Sequence, residues 1–144
     1  MTTANDRPAN DPAVIRRLLT TPARWAVVGL STNADRAAWG VAAYLQDALG
    51  HEIVPIHPRG ETVHGAAGQT RLADVVGPID VVDVFVSARL AGAVVDEAIA
   101  VGARAVWLQL GVVDEAAADR ARAAGLDVVM DVCPAIEGSR LGLG

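Results

Sequence analysis

The chain has 144 residues, 52% of them hydrophobic, with a formal net charge of −5 and a mean hydropathy of +0.33. This suits one domain with a well-buried core and excludes wholesale disorder. The acidic balance, the absence of a basic tract and an aromatic content of only 3% argue against nucleic-acid and membrane-surface roles, and the single cysteine, Cys133, excludes an internal disulfide.

In chain order, residues 1–10 are polar and read as a flexible N-terminus. They contain no apolar leader, and no apolar run reaches spanning length, so a cytoplasmic protein is expected. Asp11-Pro12 reads as an N-cap followed by proline at the first helical position. Val14, Ile15, Leu18 and Leu19 then form one apolar face of a short helix, expected to pack into the core. Arg24 to Leu30 reads as the first strand. Asn33 or Asp35 is the expected cap of a helix from about Ala37 to Leu49, with Val41, Tyr44, Leu45 and Leu49 inward. His51 to His57 reads as the second strand, with His51 solvated at its start.

Pro58-Arg59-Gly60 breaks that strand, and Glu61 to Thr70 reads as loop. Arg71 to Val76 is at most a helical turn. Ile79 to Val86 is the third strand, and Ser87 caps a helix from about Arg89 to Val101. Ala103 to Leu110 is the fourth strand, and Asp114 opens a helix to about Ala124. Leu126 to Met130 is the fifth strand. Residues 137–144 read as a flexible, glycine-rich tail. The alternation of strands and helices, with runs such as Val81-Val82 and Val106-Trp107-Leu108 apolar on both faces, predicts an α/β fold. The expected form is a single Rossmann-like domain over residues 11–136, with a five-stranded parallel sheet in the order 3-2-1-4-5 and helices on both faces. The ligand crevice is expected at the C-terminal strand ends, between the first and fourth strands.

The turn after the first strand carries the chemistry. A strand ending at Gly29, a small polar loop and a helix start aim free backbone N–H groups at one point, which suits a phosphate. Only the first glycine of the dinucleotide fingerprint is present in Gly29-Leu-Ser-Thr-Asn-Ala34, a weak signal by itself. The second strand ends in His57-Pro58-Arg59, where a NAD-binding domain would place an acid. A cation there suits a phosphorylated ribose, as in NADP or coenzyme A.

The stretch from Val27 through Gly29, Leu30, Ser31, Thr32, Asn33, Ala34 and Asp35 to Arg36 resembles the opening of the small, stand-alone CoA-binding proteins. Val81 to Phe85 resembles their third strand, and Gly102 to Gly111, with its Val-Trp-Leu-Gln-Leu-Gly run, their fourth. Gly125 to Asp131, with Cys133, resembles their ending. The resemblance spans roughly residues 24 to 137 and extends to the CoA-binding domain of succinyl-CoA synthetase and of ADP-forming acyl-CoA synthetases. It implies that Gly29, Ser31, Thr32 and Asn33 hold the phosphates of CoA, with Arg36 as a counter-charge. It implies further that His57, Pro58 and Arg59 flank the adenosine, that Phe85 and Val86 line the crevice, and that Gln109 and Leu110 close it. Trp39 stands where the family has Tyr, at the end of Ala37-Ala38-Trp39 in place of Pro-Ser-Tyr, and joins the expected ligand set. Val86 and Val132 stand where the family carries arginines, and His57 stands where it carries Asn.

Other chemistry fits the residues less well. Ser31 lacks the Gly-x-Ser-x-Gly setting of an esterase nucleophile. Gly60 to Gly65 has P-loop spacing, but Ala66-Ala67 replaces Lys-Ser/Thr. His57 and His64 lack a third ligand at metal-binding spacing. Asp83 is a candidate buried, paired carboxylate or the cap of a neighbouring element. Cys133 reads as a small buried hydrophobe, with a mixed disulfide to the CoA thiol as the alternative. The expected function is binding of CoA or a short acyl-CoA at the C-terminal sheet edge, without catalysis, by a chain that is a homodimer or serves a separate catalytic partner. The alternatives are a small NADP-binding oxidoreductase and a ligand-free structural subunit.

Overall fold

The computed structural model describes residues 8–144. Five parallel strands form one sheet: β1 Arg24–Val28, β2 Glu52–Ile56, β3 Val81–Val84, β4 Ala105–Leu108 and β5 Asp127–Met130. Helices α1 Pro12–Thr20, α2 Ala37–Asp47 and α5 Pro134–Arg140 cover one face, and α3 Ala88–Ala100 and α4 Glu115–Ala123 cover the other. Every residue of β3, β4 and β5 is buried, as a parallel sheet covered on both faces requires. Alternate positions face opposite layers. Trp25, Val27, Val81, Trp107 and Val129 pack toward α1 and α2, whereas Ala26, Val82, Val84, Val106 and Leu108 pack toward α3 and α4. Val14, Ile15 and Leu19 of α1 are buried in the first of these layers, the packing role expected of that face.

The α/β class, the five parallel strands and the two helical layers are as expected from the sequence. The strand order is not: it is β2-β1-β3-β4-β5, so β3 lies beside β1 and β2 is an edge. The physical reason is Pro55. The Pro55 carbonyl accepts from the Gln69 N–H at 2.9 Å on the outer side of β2. A residue's N and O point to the same side of a parallel strand, so the ring nitrogen also faces outward and offers no donor to a further strand. The chain therefore covers that edge with the single bridge Ile56–Gln69 and returns across β1. The reversal of chain direction, and with it the crevice, lies between β1 and β3, not between the first and fourth strands.

Both ends of the domain are better anchored than the sequence suggests. Residues 1–7 of the expected flexible N-terminus lie outside the described residues. Asn10, however, binds the β5 edge: its N–H donates to Val128 O at 3.1 Å, and its side-chain amide exchanges bonds of 2.8 and 2.7 Å with the backbone of Met130. At the other end, the segment expected as a loose tail from residue 137 contains most of α5. Pro134 starts that helix at N1. Gly138 lets it seat against Tyr44 of α2, where a Cβ would come within 2.2 Å of the phenol oxygen. The Tyr44 hydroxyl donates to Leu143 O. His51 is also more enclosed than expected. It is 3% exposed, accepts from the Ala23 N–H, contacts Leu19 O and tilts against Trp25.

Candidate functional site

The strand order brings β1 and β3 together, and their C-terminal ends form the floor of a cleft of about 670 Å³. Gly29 makes the close approach possible. Its φ is +103°, and a Cβ there would lie 2.8 Å from the carbonyl oxygen of Phe85. Ser31, Arg36, Ala37 and Ala38 form one wall, Phe85, Val86, Ser87, Leu90, Val94 and Glu97 a second, and Ile56, His57, Pro58, Thr70 and Arg71 the third.

Two helix N-termini open into this cleft, because α2 follows β1 and α3 follows β3. Neither is capped by a side chain: Arg36 holds the N-cap of α2 and Ser87 that of α3, and neither makes a capping hydrogen bond. Helices α1 and α4 differ, since Asp11 and Asp114 cap them with bonds to the N–H groups of Ala13 and Ala117. At the cleft the unpaired donors and the positive ends of two helix dipoles are left for another anion. The expected capping by Asn33 or Asp35 does not occur. Asn33 Oδ1 accepts from the Asp35 N–H at 3.0 Å in a local turn, and the N-cap position falls to Arg36, after both residues.

Side-chain charge points the same way. All the cations of the chain other than histidine are arginines. Arg17, Arg24, Arg104, Arg120, Arg122 and Arg140 are ion-paired. Among the described residues Arg16, Arg36, Arg59, Arg71 and Arg89 make no ion pair. Arg36 and Arg71 line the cleft. Arg59 follows Pro58, and Arg89 lies between Ser87 and Leu90, all three neighbours being lining residues. Of the five arginines among the described residues that make no ion pair, two thus line one opening and two more are chain neighbours of its lining residues.

Of the residues expected from the sequence, the structure gathers Gly29, Ser31, Arg36, His57, Pro58, Phe85 and Val86 in the cleft wall. It places the others elsewhere. Thr32 follows Ser31 but gives its N–H and hydroxyl to Glu61 at 3.2 and 3.1 Å. Asn33 is spent in its turn. Trp39 is half-buried on α2, its ring 4.6 Å from that of His64, and its carbonyl lies 2.8 Å from His64 Nε2. Arg59 is exposed beside the wall, its N–H donating to His57 Nδ1 at 3.2 Å. Gln109 is buried past the end of β4 with no partner for Oε1 among the described residues, and Leu110 is exposed beyond it. The strand order explains these last two, because β4 is separated from β1 by β3. Arg71, Leu90, Val94 and Glu97 were not expected. The Leu90, Val94 and Glu97 spacing marks one face of α3, a signal present in the sequence.

The remaining candidates resolve as structure. Ser31 Oγ accepts from the Asn33 N–H at 3.2 Å. Cys133 is buried among the residues beneath α2 and does not line the cleft. Asp80 accepts from the Arg24 N–H, and Asp131 from the Gly111 N–H. Asp83 is buried, as the sequence suggests, but unpaired among the described residues. No group of three or more His, Cys, Asp and Glu residues among the described residues could hold a metal ion, and no helix there is long and apolar enough to cross a membrane.

Comparison with known proteins adds a family to this geometry. A curated Bacillus subtilis protein, the uncharacterized protein YneT, is 36% identical over 121 residues, 84% of this chain and 89% of that one. A solved structure of a hypothetical protein from Pyrococcus horikoshii superposes with a TM-score of 0.85 at 32% identity, covering 95% of this chain and 98% of the other. At 20% identity, the fold recurs in a dinucleotide-forming acetyl-coenzyme A synthetase from Candidatus Korarchaeum cryptofilum, with a TM-score of 0.69 over 81% of this chain and 27% of that one. The sequence profile of the CoA binding domain matches residues 23–139, which hold the whole sheet and helices α2, α3 and α4. The chain belongs to the CoA binding domain family.

Proposed function

We propose that the cleft binds coenzyme A, or a short acyl-CoA, and that the chain does so without catalysis of its own. The observation that carries this reading is the convergence of two uncapped helix N-termini and two unpaired arginines on one cleft. Such a site suits a pyrophosphate, and a second cation suits a further phosphate on the ribose. The apolar patch of Ile56, Leu90 and Val94 offers a nucleoside a surface away from the charges. A volume of about 670 Å³ lies within the range that encloses ligands of this size. Family membership makes CoA the first choice among phosphorylated nucleotides. The non-catalytic reading rests on the engagement of Ser31 by the backbone and the burial of Cys133 outside the cleft. Chemistry would then fall to a separate chain that takes up the bound CoA.

The test is thermal unfolding with CoA, dephospho-CoA, NADP and NAD at matched concentrations. A ligand that binds only the folded state, at about 100 times its Kd, adds roughly 2.7 kcal/mol of stability. CoA is expected to raise the melting temperature most, and dephospho-CoA less. Stabilisation by NADP alone would replace this reading with that of an NADP-binding oxidoreductase. Stabilisation by none of the four would point to a structural subunit.

A further inference from the structure

The loop between β2 and β3 carries a carboxylate onto Thr32, the residue that follows the cleft-lining Ser31 in the turn after β1. Glu61 Oε1 accepts from the Thr32 N–H at 3.2 Å, and Oε2 accepts from the Thr32 hydroxyl at 3.1 Å. One backbone donor and one hydroxyl donor on adjacent carboxylate oxygens reproduce the way a turn of this kind grips a phosphate. The Thr32 N–H lowers the pKa of the Glu61 carboxyl most, slight desolvation opposes it, and the Thr32 hydroxyl, Arg59 and His57 add to the lowering.

The rest of the loop is held independently of Glu61. Val63 and Ala66 exchange backbone bonds of 3.0 and 2.9 Å. Gly68 lies so close to Glu61 that a Cβ would come within 2.1 Å of the Glu61 carbonyl oxygen. His64 rests on Trp39, and Gln46 donates to the His64 carbonyl at 3.1 Å. The side chain of Glu61 can therefore rotate away while the loop backbone stays in place.

We propose that Glu61 sets the anion affinity of the cleft by occupying, in the free protein, the Thr32 donors that a ligand phosphate takes on binding. The inference rests on the CoA reading above. Binding then exchanges one anion for another at Thr32, and the affinity measured for CoA is the difference between the two. Glu61 also selects against weakly charged ligands, which cannot displace a carboxylate from two donors.

Titration calorimetry with CoA on the wild type, Glu61→Gln and Glu61→Ala tests this. Both variants are expected to fold with an unchanged melting temperature, and Glu61→Ala is expected to bind CoA about fivefold tighter. Glu61→Gln, which keeps an acceptor but loses the charge, should fall between. The Thr32 amide resonance of the free wild type should differ from that of free Glu61→Ala, and the two should converge at saturating CoA because the same phosphate then holds that N–H; a Glu61 that stays bonded to Thr32 would keep them apart. Wild-type binding of CoA with equal or weaker binding by Glu61→Ala would overturn the exchange alone. Failure of all three proteins to bind CoA would overturn the CoA reading, and the exchange with it.

Discussion

Asp83 offers a direct test of the core. It sits in β3 at 0% exposure, in register between Val27 of β1 and Trp107 of β4. Neither carboxyl oxygen has a hydrogen-bond partner among the described residues, and burial pushes its pKa well above the ordinary 3.8. The native protein therefore holds a proton that the unfolded chain releases. The stability this gives is complete below the unfolded-state pKa and is lost as pH rises through the folded-state pKa. Within that window stability falls by about 1.4 kcal/mol per pH unit. Asp83→Asn keeps the shape and removes the titration. It should match the wild type near pH 4 and grow progressively more stable than it as pH rises toward the folded-state pKa. Asp83→Val also removes the unpaired dipole, and should add about 1 to 3 kcal/mol at every pH. Urea unfolding followed by the fluorescence of buried Trp25 and Trp107 reads both effects. A constant offset between Asp83→Asn and the wild type across the pH range would refute the assignment of a neutral buried acid.

Two further predictions concern the cleft itself. Arg36→Ala and Arg71→Ala should each weaken CoA binding about tenfold, less at high salt, with little change in melting temperature because neither makes an ion pair; unchanged calorimetric affinity would remove them from the site. Gly29→Ala places a side chain at φ +103° with its Cβ 2.8 Å from the Phe85 carbonyl oxygen. It should cost at least about 1 to 3 kcal/mol in chemical denaturation and lower CoA affinity, and wild-type stability in this variant would show that the β1–β3 approach is not tight.

The legible and illegible parts of this fold differ by the range of the interaction involved. The five strands and the first four helices are set by local periodicity, and glycines such as Gly50, Gly102 and Gly125 mark where elements end. Strand order depends on which edge can accept a neighbour. The deciding residue, Pro55, lies inside a strand-like run, and local pattern does not say which side of the strand its missing donor faces. Helix α5 is masked in the sequence by Gly138 within it and by Gly142 and Gly144 just beyond it. Gly138 looks like a breaker in sequence, yet it is where α5 meets Tyr44 of α2, a contact across 94 positions of chain. In the cleft, the residues of the first turn and of the β2 and β3 ends follow directly from the strand-end rule. Arg71 does not, because it returns to the cleft only after a loop of irregular spacing. Thr32 shows a different limit. Its type and position suit a phosphate, but its donors face Glu61, and no local pattern pairs two residues 29 positions apart.

Sheet order and anion binding in this molecule are one consequence, not two. Because Pro55 closes the outer side of β2, β3 must pair with β1. The helices that follow these two neighbouring strands leave on opposite faces, α2 into one layer and α3 into the other. Only where adjacent strands send their helices apart do two helix N-termini stand open over the same gap. The gap is narrow enough to exclude a Cβ at position 29, so the turn must begin with glycine. An Asp cap on either helix would satisfy that helix and cancel its share of the positive field, as Asp11 and Asp114 do elsewhere. At the cleft the N-cap positions carry Arg36 and Ser87 instead. The carboxylate that does reach the turn, Glu61, arrives from a separate loop and can leave without unfolding a helix. The chain thus keeps carboxylates out of both N-cap positions at the cleft, and the one that bonds to the donors of Thr32 comes from outside the turn.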